Sequence, residues 1–245
     1  LPQAPAADQR RLLDVQDADT RIAQAKHRRA NLPVLAQIAE LAGRAQDLDV
    51  MRGQALVEVT DIQREVTKAE DDVQSVRARA ERDNARLNSG EGTPRDLQAL
   101  QSELEALAKR QSALEDVELE AMERLEEAQS RVTAAATQVA AITAQVAELE
   151  VARDAEFAAI DAELEELAAA RAAAAQGLDA GLLALFEKLR VSGGGVGAAR
   201  LVGGQCQGCH MSINSVELAR IENAPEDDVV RCEDCGRILV RGAHA

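Results

Sequence analysis

Tryptophan and tyrosine are absent from this chain of 245 residues, and phenylalanine occurs only at Phe157 and Phe186. Aromatic rings supply much of the area in a thick globular core. Their lack points to a thin helix-on-helix seam and removes the stacking platform on which single-stranded bases are held. No apolar run approaches the length of a membrane-spanning helix. Basic residues are also in deficit, 28 Lys and Arg against 43 Asp and Glu, for a net charge of −15. That charge disfavours broad attraction to DNA, RNA or anionic membrane. The opening Leu1-Pro2-Gln3-Ala4-Pro5 shows no basic-then-apolar signal segment, so the cytosol is the expected compartment. Histidine is confined to His27, His210 and His244, which are scattered, and Gly193-Gly194-Gly195 lacks the Lys-Ser/Thr of a phosphate loop. With no clustered acid, base or nucleophile, no enzyme is expected.

What dominates instead is Ala, Leu, Glu, Arg and Gln, the composition of long helices and coiled coils. From Ile38 the apolar positions step by three and four through Leu41, Ala45, Leu48, Ala55, Val59 and onward to Leu87, with Arg52 and Asp83 as polar interruptions. A second series runs from Leu97 to Leu149, interrupted by Gln111 and Glu118. Heptads sustained this far predict coiled coil.

Between the two series lies a reversal, residues 88–96. Gly90 and Gly92 permit the turn, Thr93 reads as the N-cap of the next helix, Pro94 as its first residue and Asp96 as its acidic first-turn partner. The simplest arrangement is an antiparallel hairpin that sets Val59 near Leu125 and Ile38 near Val146. After Leu149 the apolar set shifts to Phe157, Ile160, Leu164 and Leu167, equivalent to a four-residue stutter at 150–156. Pro33 breaks or kinks the first arm at the matching level. The expected division is a coiled-coil hairpin over 8–190 and a second domain over 191–245, separated by a flexible Ser192–Gly195.

All four cysteines fall in that second segment, as Cys206/Cys209 and Cys232/Cys235. A two-residue gap lets one tight turn offer two sulfurs to one ion, and two such turns complete a tetrahedral four-thiolate site for a single structural zinc. Strands are expected over 196–202 and 238–240, with a short helix over 215–221 capped by Asn214 and Glu217. Arg231, Arg237 and Arg241 stand where they would offset the net −2 of a zinc tetrathiolate. Cys206-Gln207-Gly208-Cys209-His210 also spells a haem-attachment motif, but haem leaves the second cysteine pair unexplained. No thioredoxin-like pattern surrounds either pair, which disfavours a redox dithiol. His210 follows Cys209 directly, on the outside of the turn. The fold class is therefore mainly α: a long antiparallel coiled-coil hairpin followed by a small C-terminal four-cysteine zinc ribbon.

Cys206-x-x-Cys209-His210-Met211, followed by Cys232-Glu233-x-Cys235-Gly236-Arg237-Ile238-Leu239, resembles the bacterial C4-type zinc-ribbon proteins with an N-terminal coiled-coil hairpin. The turn Thr93-Pro94-Arg95-Asp96-Leu97-Gln98-Ala99-Leu100 is similar to that family's hairpin tip, with Asp96 where Glu is usual. The resemblance implies a non-enzymatic regulatory protein. Some members are linked to the nitrogen-type alternative sigma factor, to secretion or flagellar regulation, and to messenger-RNA binding.

Three functional readings follow. The first is an adaptor that docks a protein partner, of transcription-related kind on the resemblance, through the ribbon or through tip residues Arg86, Thr93, Pro94, Arg95 and Asp96. The second is an RNA- or DNA-binding regulator using the ribbon and the tip. Charge does not favour it: Arg77, Arg79, Arg82, Arg86 and Arg95 alternate with Glu81, Asp83, Glu91 and Asp96, and from Arg200 onward five Arg face seven acids. The third is a structural, self-assembling coiled coil using exposed apolar flanks such as Leu119 and Met122.

Overall fold

The computed structural model describes residues 2–242. The chain is mainly helical, a long helical hairpin with a C-terminal four-cysteine zinc ribbon. Its elements are α1 (Ala6–Ala30), α2 (Pro33–Ser89), α3 (Pro94–Ala175), α4 (Ala180–Ser192), β1 (Ala198–Val202), β2 (Gln205–Cys206), α5 (Ser215–Asn223) and β3 (Ile238–Val240). They form two compact units: residues 36–150, and residues up to Leu35 together with those from Val151 on. No described helix is long and apolar enough to cross a membrane.

The 36–150 unit is the paired part of α2 and α3. On α2 every position of the predicted series from Ile38 to Leu87 is buried or half-buried, including the two polar interruptions Arg52 and Asp83. Ile62, Val66, Ala121 and Ala128 form its buried centre, with Val59 and Leu125 packed against them, which is the predicted register. Ion pairs flank the seam: Glu58–Arg131 at 2.5 Å, Glu65–Arg124 at 2.9 Å, Arg77–Glu115 at 2.6 Å, and Arg79–Glu103. Exposed pairs of this kind contribute about 0–1 kcal/mol each. Asp83 is buried in the seam, and its carboxylate lies 3.8 Å from Arg79.

The hairpin closes at Gly90, which takes the left-handed φ of 67° after the end of α2. Thr93 and Asp96 then cap α3 reciprocally. The Asp96 carboxylate accepts from the Thr93 N–H at 2.9 Å and its hydroxyl at 2.7 Å, while Thr93 Oγ1 accepts from the Asp96 N–H at 3.3 Å. Pro94 is the first residue of α3, where its missing N–H costs nothing. The chain breaks at Asn31-Leu32, and Pro33 starts α2. Through 150–156 α3 stays helical, so the register change there takes place within a continuous helix.

The second unit is discontinuous in sequence. Residues Leu12 and Val15 of α1, Leu178, and Leu182, Phe186 and Leu189 of α4 share one core with Ala198, Val229, Ile238 and Val240 of the ribbon. The sheet order is β2-β1-β3, with β1 antiparallel to β2 and parallel to β3. Ahead of α1, Ala4 N–H donates to Asp227 O at 2.8 Å and Pro2 O accepts from Val229 N–H at 2.9 Å. The ribbon therefore does not stand apart after residue 190 as expected. Ser192–Gly195 is likewise no free linker. Gly193 O accepts from Arg237 at 2.9 Å, Gly195 O accepts from the Gln16 side chain at 3.1 Å, and Gln16 Oε1 accepts from Gly197 N–H at 2.8 Å. A four-residue glycine-rich stretch reads as flexible, but these long-range donors hold its carbonyls.

Candidate metal centre

Alternation along the strands gives the sheet two apolar faces. Ala198, Ile238 and Val240 point into the α1/α4 core, while Ala199 and Leu239 join Ile221, Val230, Cys206 and Cys232 in a second cluster. The metal centre is built on this second face.

Two chain reversals present the sulfurs. In the first, His210 N–H donates to Cys206 O at 2.8 Å and Gly208 N–H lies 3.4 Å from Cys206 Sγ. In the second, Gly236 N–H donates to Cys232 O at 2.8 Å and Cys232 N–H to Arg237 O at 2.9 Å. All four sulfurs lie within 4.8 Å of one another. Across the two turns, Cys206 Sγ is 3.9 Å from Cys235 Sγ, and Cys209 Sγ is 3.8 Å from Cys232 Sγ. A tetrahedron with Zn–S bonds of about 2.3 Å has S···S edges of about 3.8 Å, so the cluster fits one Zn²⁺.

The thiols alone are a poor set of anions. Burial pushes Cys206 up and pushes Cys232 up to about 12. Burial acts upward on Cys235 too, but hydrogen bonds from the Arg237 backbone N–H and from the Cys209 and Cys232 thiols outweigh it and bring Cys235 to about 7. A divalent cation is what makes four adjacent thiolates tenable.

The arginines near the site bond to the backbone, and the Arg237 side chain also bonds to Cys235 and helps to hold its thiol low, in keeping with the expected counter-charge. Arg237 donates to three carbonyls, Val196 O at 3.1 Å, Gly208 O at 3.0 Å and Gly193 O at 2.9 Å. It thus ties the first turn to the stretch between α4 and β1. Arg231 donates to Gly236 O at 2.7 Å, and Arg241 reaches five carbonyls between Ile221 and Asp228. All three guanidinium groups thus serve as donors to the backbone. Asn214 caps α5 by accepting from Glu217 N–H at 2.9 Å, while the Glu217 carboxylate pairs with Arg220. The helix extends to Asn223, two residues past the expected end.

Sequence reasoning missed Gln16 and Gly208. A Cβ on Gly208 would lie 2.8 Å from Arg237 Cδ and 2.9 Å from Ala199 Cβ, so only glycine fits beneath the guanidinium. His210 is exposed, outside the sulfur cluster, as expected. His244 lies outside the described residues. The cysteines belong to one compact unit; Arg86, Thr93, Pro94, Arg95 and Asp96 belong to the other, where all five are exposed.

A family model described as a CT398-like coiled coil hairpin domain matches residues 15–194, and one described as a C4-type zinc ribbon domain matches residues 205–239. The chain belongs to the CT398-like hairpin family. Rv2229c of Mycobacterium tuberculosis is 36% identical over 239 residues, covering 98% of this chain and 97% of that protein. A solved Mycobacterium smegmatis structure shares 33% identity and superposes with a TM-score of 0.86, covering 98% of this chain and 100% of the other. CT398 from Chlamydia trachomatis, at 16% identity, has a TM-score of 0.72 with 96% and 98% of the two chains covered, a likeness of fold.

Proposed function

We propose that this CT398-like protein is a non-enzymatic adaptor, with the zinc ribbon as a metal-stapled head and the hairpin as an arm. Closure of the metal centre carries the proposal. Four protein sulfurs at tetrahedral spacing fill every position of a zinc ion, which leaves none for water or substrate. The zinc is then structural. It holds a sheet with strands of five, two and three residues, too small to fold on its own apolar area. The arm is long: the 54 residues from 36 to 89 span about 80 Å at 1.5 Å per residue.

The partner is a protein. Of the five arginines near the tip, Arg77 and Arg79 already pair with Glu115 and Glu103, which lowers the cationic charge available to phosphate. Two measurements test the reading. Crosslinking mass spectrometry on the full chain in its native cell, with Arg95→Glu at the tip and Met211→Ser on the ribbon, is expected to return a reproducible protein partner whose crosslinks one of the variants removes. A gel-shift titration against RNA and DNA across salt concentrations is expected to show no saturable, steeply salt-dependent binding. Saturable binding without any protein crosslink would replace the adaptor with a nucleic-acid binder.

A further inference from the structure

The two long edges of the hairpin are chemically unlike. Let Ile38, Ala45, Arg52 and Val59 be seam positions a on α2, with Leu41 and Leu48 at d, and let Leu97 and Leu100 be a and d on α3. The ion pairs then fix which flanks meet. Glu58–Arg131 and Glu65–Arg124 join g to g, and Arg77–Glu115 joins e to e. Positions e and b of both helices therefore share one face of the hairpin, and positions g and c share the other.

Between Ala39 and Thr67 on α2 and between Leu119 and Ala147 on α3, the e and b positions number nine per helix. Only two of these eighteen are charged, Asp49 and Glu126. The eighteen c and g positions beside them, Glu40 to Lys68 and Glu120 to Glu148, carry twelve charges. The threonines of the e/b face, Thr60, Thr67, Thr133 and Thr143, each donate their hydroxyl to a carbonyl of their own helix at 2.8–3.0 Å. Leu56, Leu119 and Met122 stand on it at 46%, 58% and 47% exposure.

We propose that this face binds the same face of a second copy of the chain, forming a four-helix contact between two hairpins. The surface offers almost no charge, so a partner that buries it must be charge-poor as well, and this face itself meets that requirement. Placed face to face, two copies keep nearly all of their −15 charge in solvent. Of the two acids buried per copy, Asp49 already pairs with Arg52 at 2.7 Å. Alanine, glycine and threonine allow helix axes to approach to about 8 Å. Twenty-nine residues of each helix give a patch about 42 Å long and about 20 Å wide, or about 800 Å² per copy and about 1,600 Å² in all, the size of a stable specific interface. The contact is isologous and closes on itself.

Sedimentation equilibrium of the full chain tests this across about two decades of concentration around 10 μM. The wild type is expected at twice its 26.1 kDa. Thr133→Glu with Ala140→Glu places two charges on the e/b face and is expected to return the monomer mass. Ala134→Glu with Ala141→Glu places the same charges one residue along the same helix, on the c/g face, and is expected to remain dimeric. Circular dichroism at 222 nm confirms that both variants keep their helix content. A wild type that is monomeric throughout overturns the proposal. So does a dimer that survives the e/b charges, or one that the c/g charges dissolve equally.

Discussion

His210 and Gly236 occupy the same place in their two chain reversals, directly after the second cysteine, and both take the left-handed conformation, at φ 61° and 73°. His210 is the only described residue other than glycine with a positive φ. A side chain in this conformation costs about 1–2 kcal/mol. His210→Gly is therefore expected to leave zinc content unchanged and to shift the melting temperature little, since relief of strain is offset by a more flexible unfolded chain. Gly236→Ala is expected to destabilise the protein by about 1–2 kcal/mol. Its Cβ would also lie 3.0 Å from an Arg231 guanidinium nitrogen. Melting of the two zinc-loaded variants compares the costs directly.

Zinc content and its pH dependence give a second prediction. The protein is expected to bind one metal ion, read as the visible d–d absorption of a cobalt-substituted tetrathiolate, since the chain has no tryptophan or tyrosine to report by fluorescence. In the metal-free fold Cys206 and Cys232 are raised. Their contribution to stability is present below the ordinary value of 9.0 and, for Cys232, is lost as pH rises through about 12. Cys235 is lowered, so its contribution is present above 9.0 and is lost as pH falls through about 7. Metal binding needs all four as thiolates, so protons compete with it. Chelators are expected to strip the metal faster at pH 5 than at pH 7.5, with loss of the ribbon's amide protection on hydrogen exchange.

Gln16→Leu probes the tie between α1 and the ribbon. It removes the acceptor of Gly197 N–H and the donor to Gly195 O at one buried position. An unsatisfied buried amide costs about 1–3 kcal/mol. Gly197→Ala attacks the same junction sterically, since its Cβ would lie 2.7 Å from Phe186 O and 2.8 Å from Phe186 Cδ2. Both variants are expected to melt at lower temperature than wild type. A Gln16→Leu protein as stable as wild type would mean that the junction is held by the Leu12–Phe186 core alone.

At the hairpin tip, the Thr93 hydroxyl and N–H hold the Asp96 carboxyl below the usual carboxylate range. The stabilisation from this cap is present above the unfolded value of 3.8 and is lost as pH falls through the lower folded value. Thr93→Ala is expected to raise hydrogen exchange locally at the start of α3 while leaving exchange in the Ile62–Ala128 layers unchanged.

The hairpin and the metal ligands were legible in the sequence because both obey strict spacing. A heptad that tolerates Arg52 and Asp83 still places them in the seam, and two Cys-x-x-Cys turns admit few geometries. What could not be read is the face of the sheet that packs on α1 and α4. Leu12 and Val15 of α1 give too short an apolar pattern to announce that they pack on Ile238 and Val240. Arg241 looks like a counter-charge for thiolates, but a guanidinium bonded to backbone carbonyls leaves no trace in the residue types around it. Gln16 is invisible for the same reason: its partners are the main-chain groups of Gly195 and Gly197.

The discontinuous unit also sets a timetable for synthesis. Leu12 leaves the ribosome 170 residues before Leu182, its neighbour in the core. At about 5–20 residues per second, that is an interval of roughly 10–30 s. During that interval α1 has no sheet or α4 to cover its apolar side, while α2 and most of α3 emerge and zip together. Helix α1 is made before the elements that cover it and is among the last to be buried, so the nascent protein passes through a stage with a finished arm and an open base. A chaperone that acts on this protein is expected to meet it at that stage, with Leu12 and Val15 as the exposed residues.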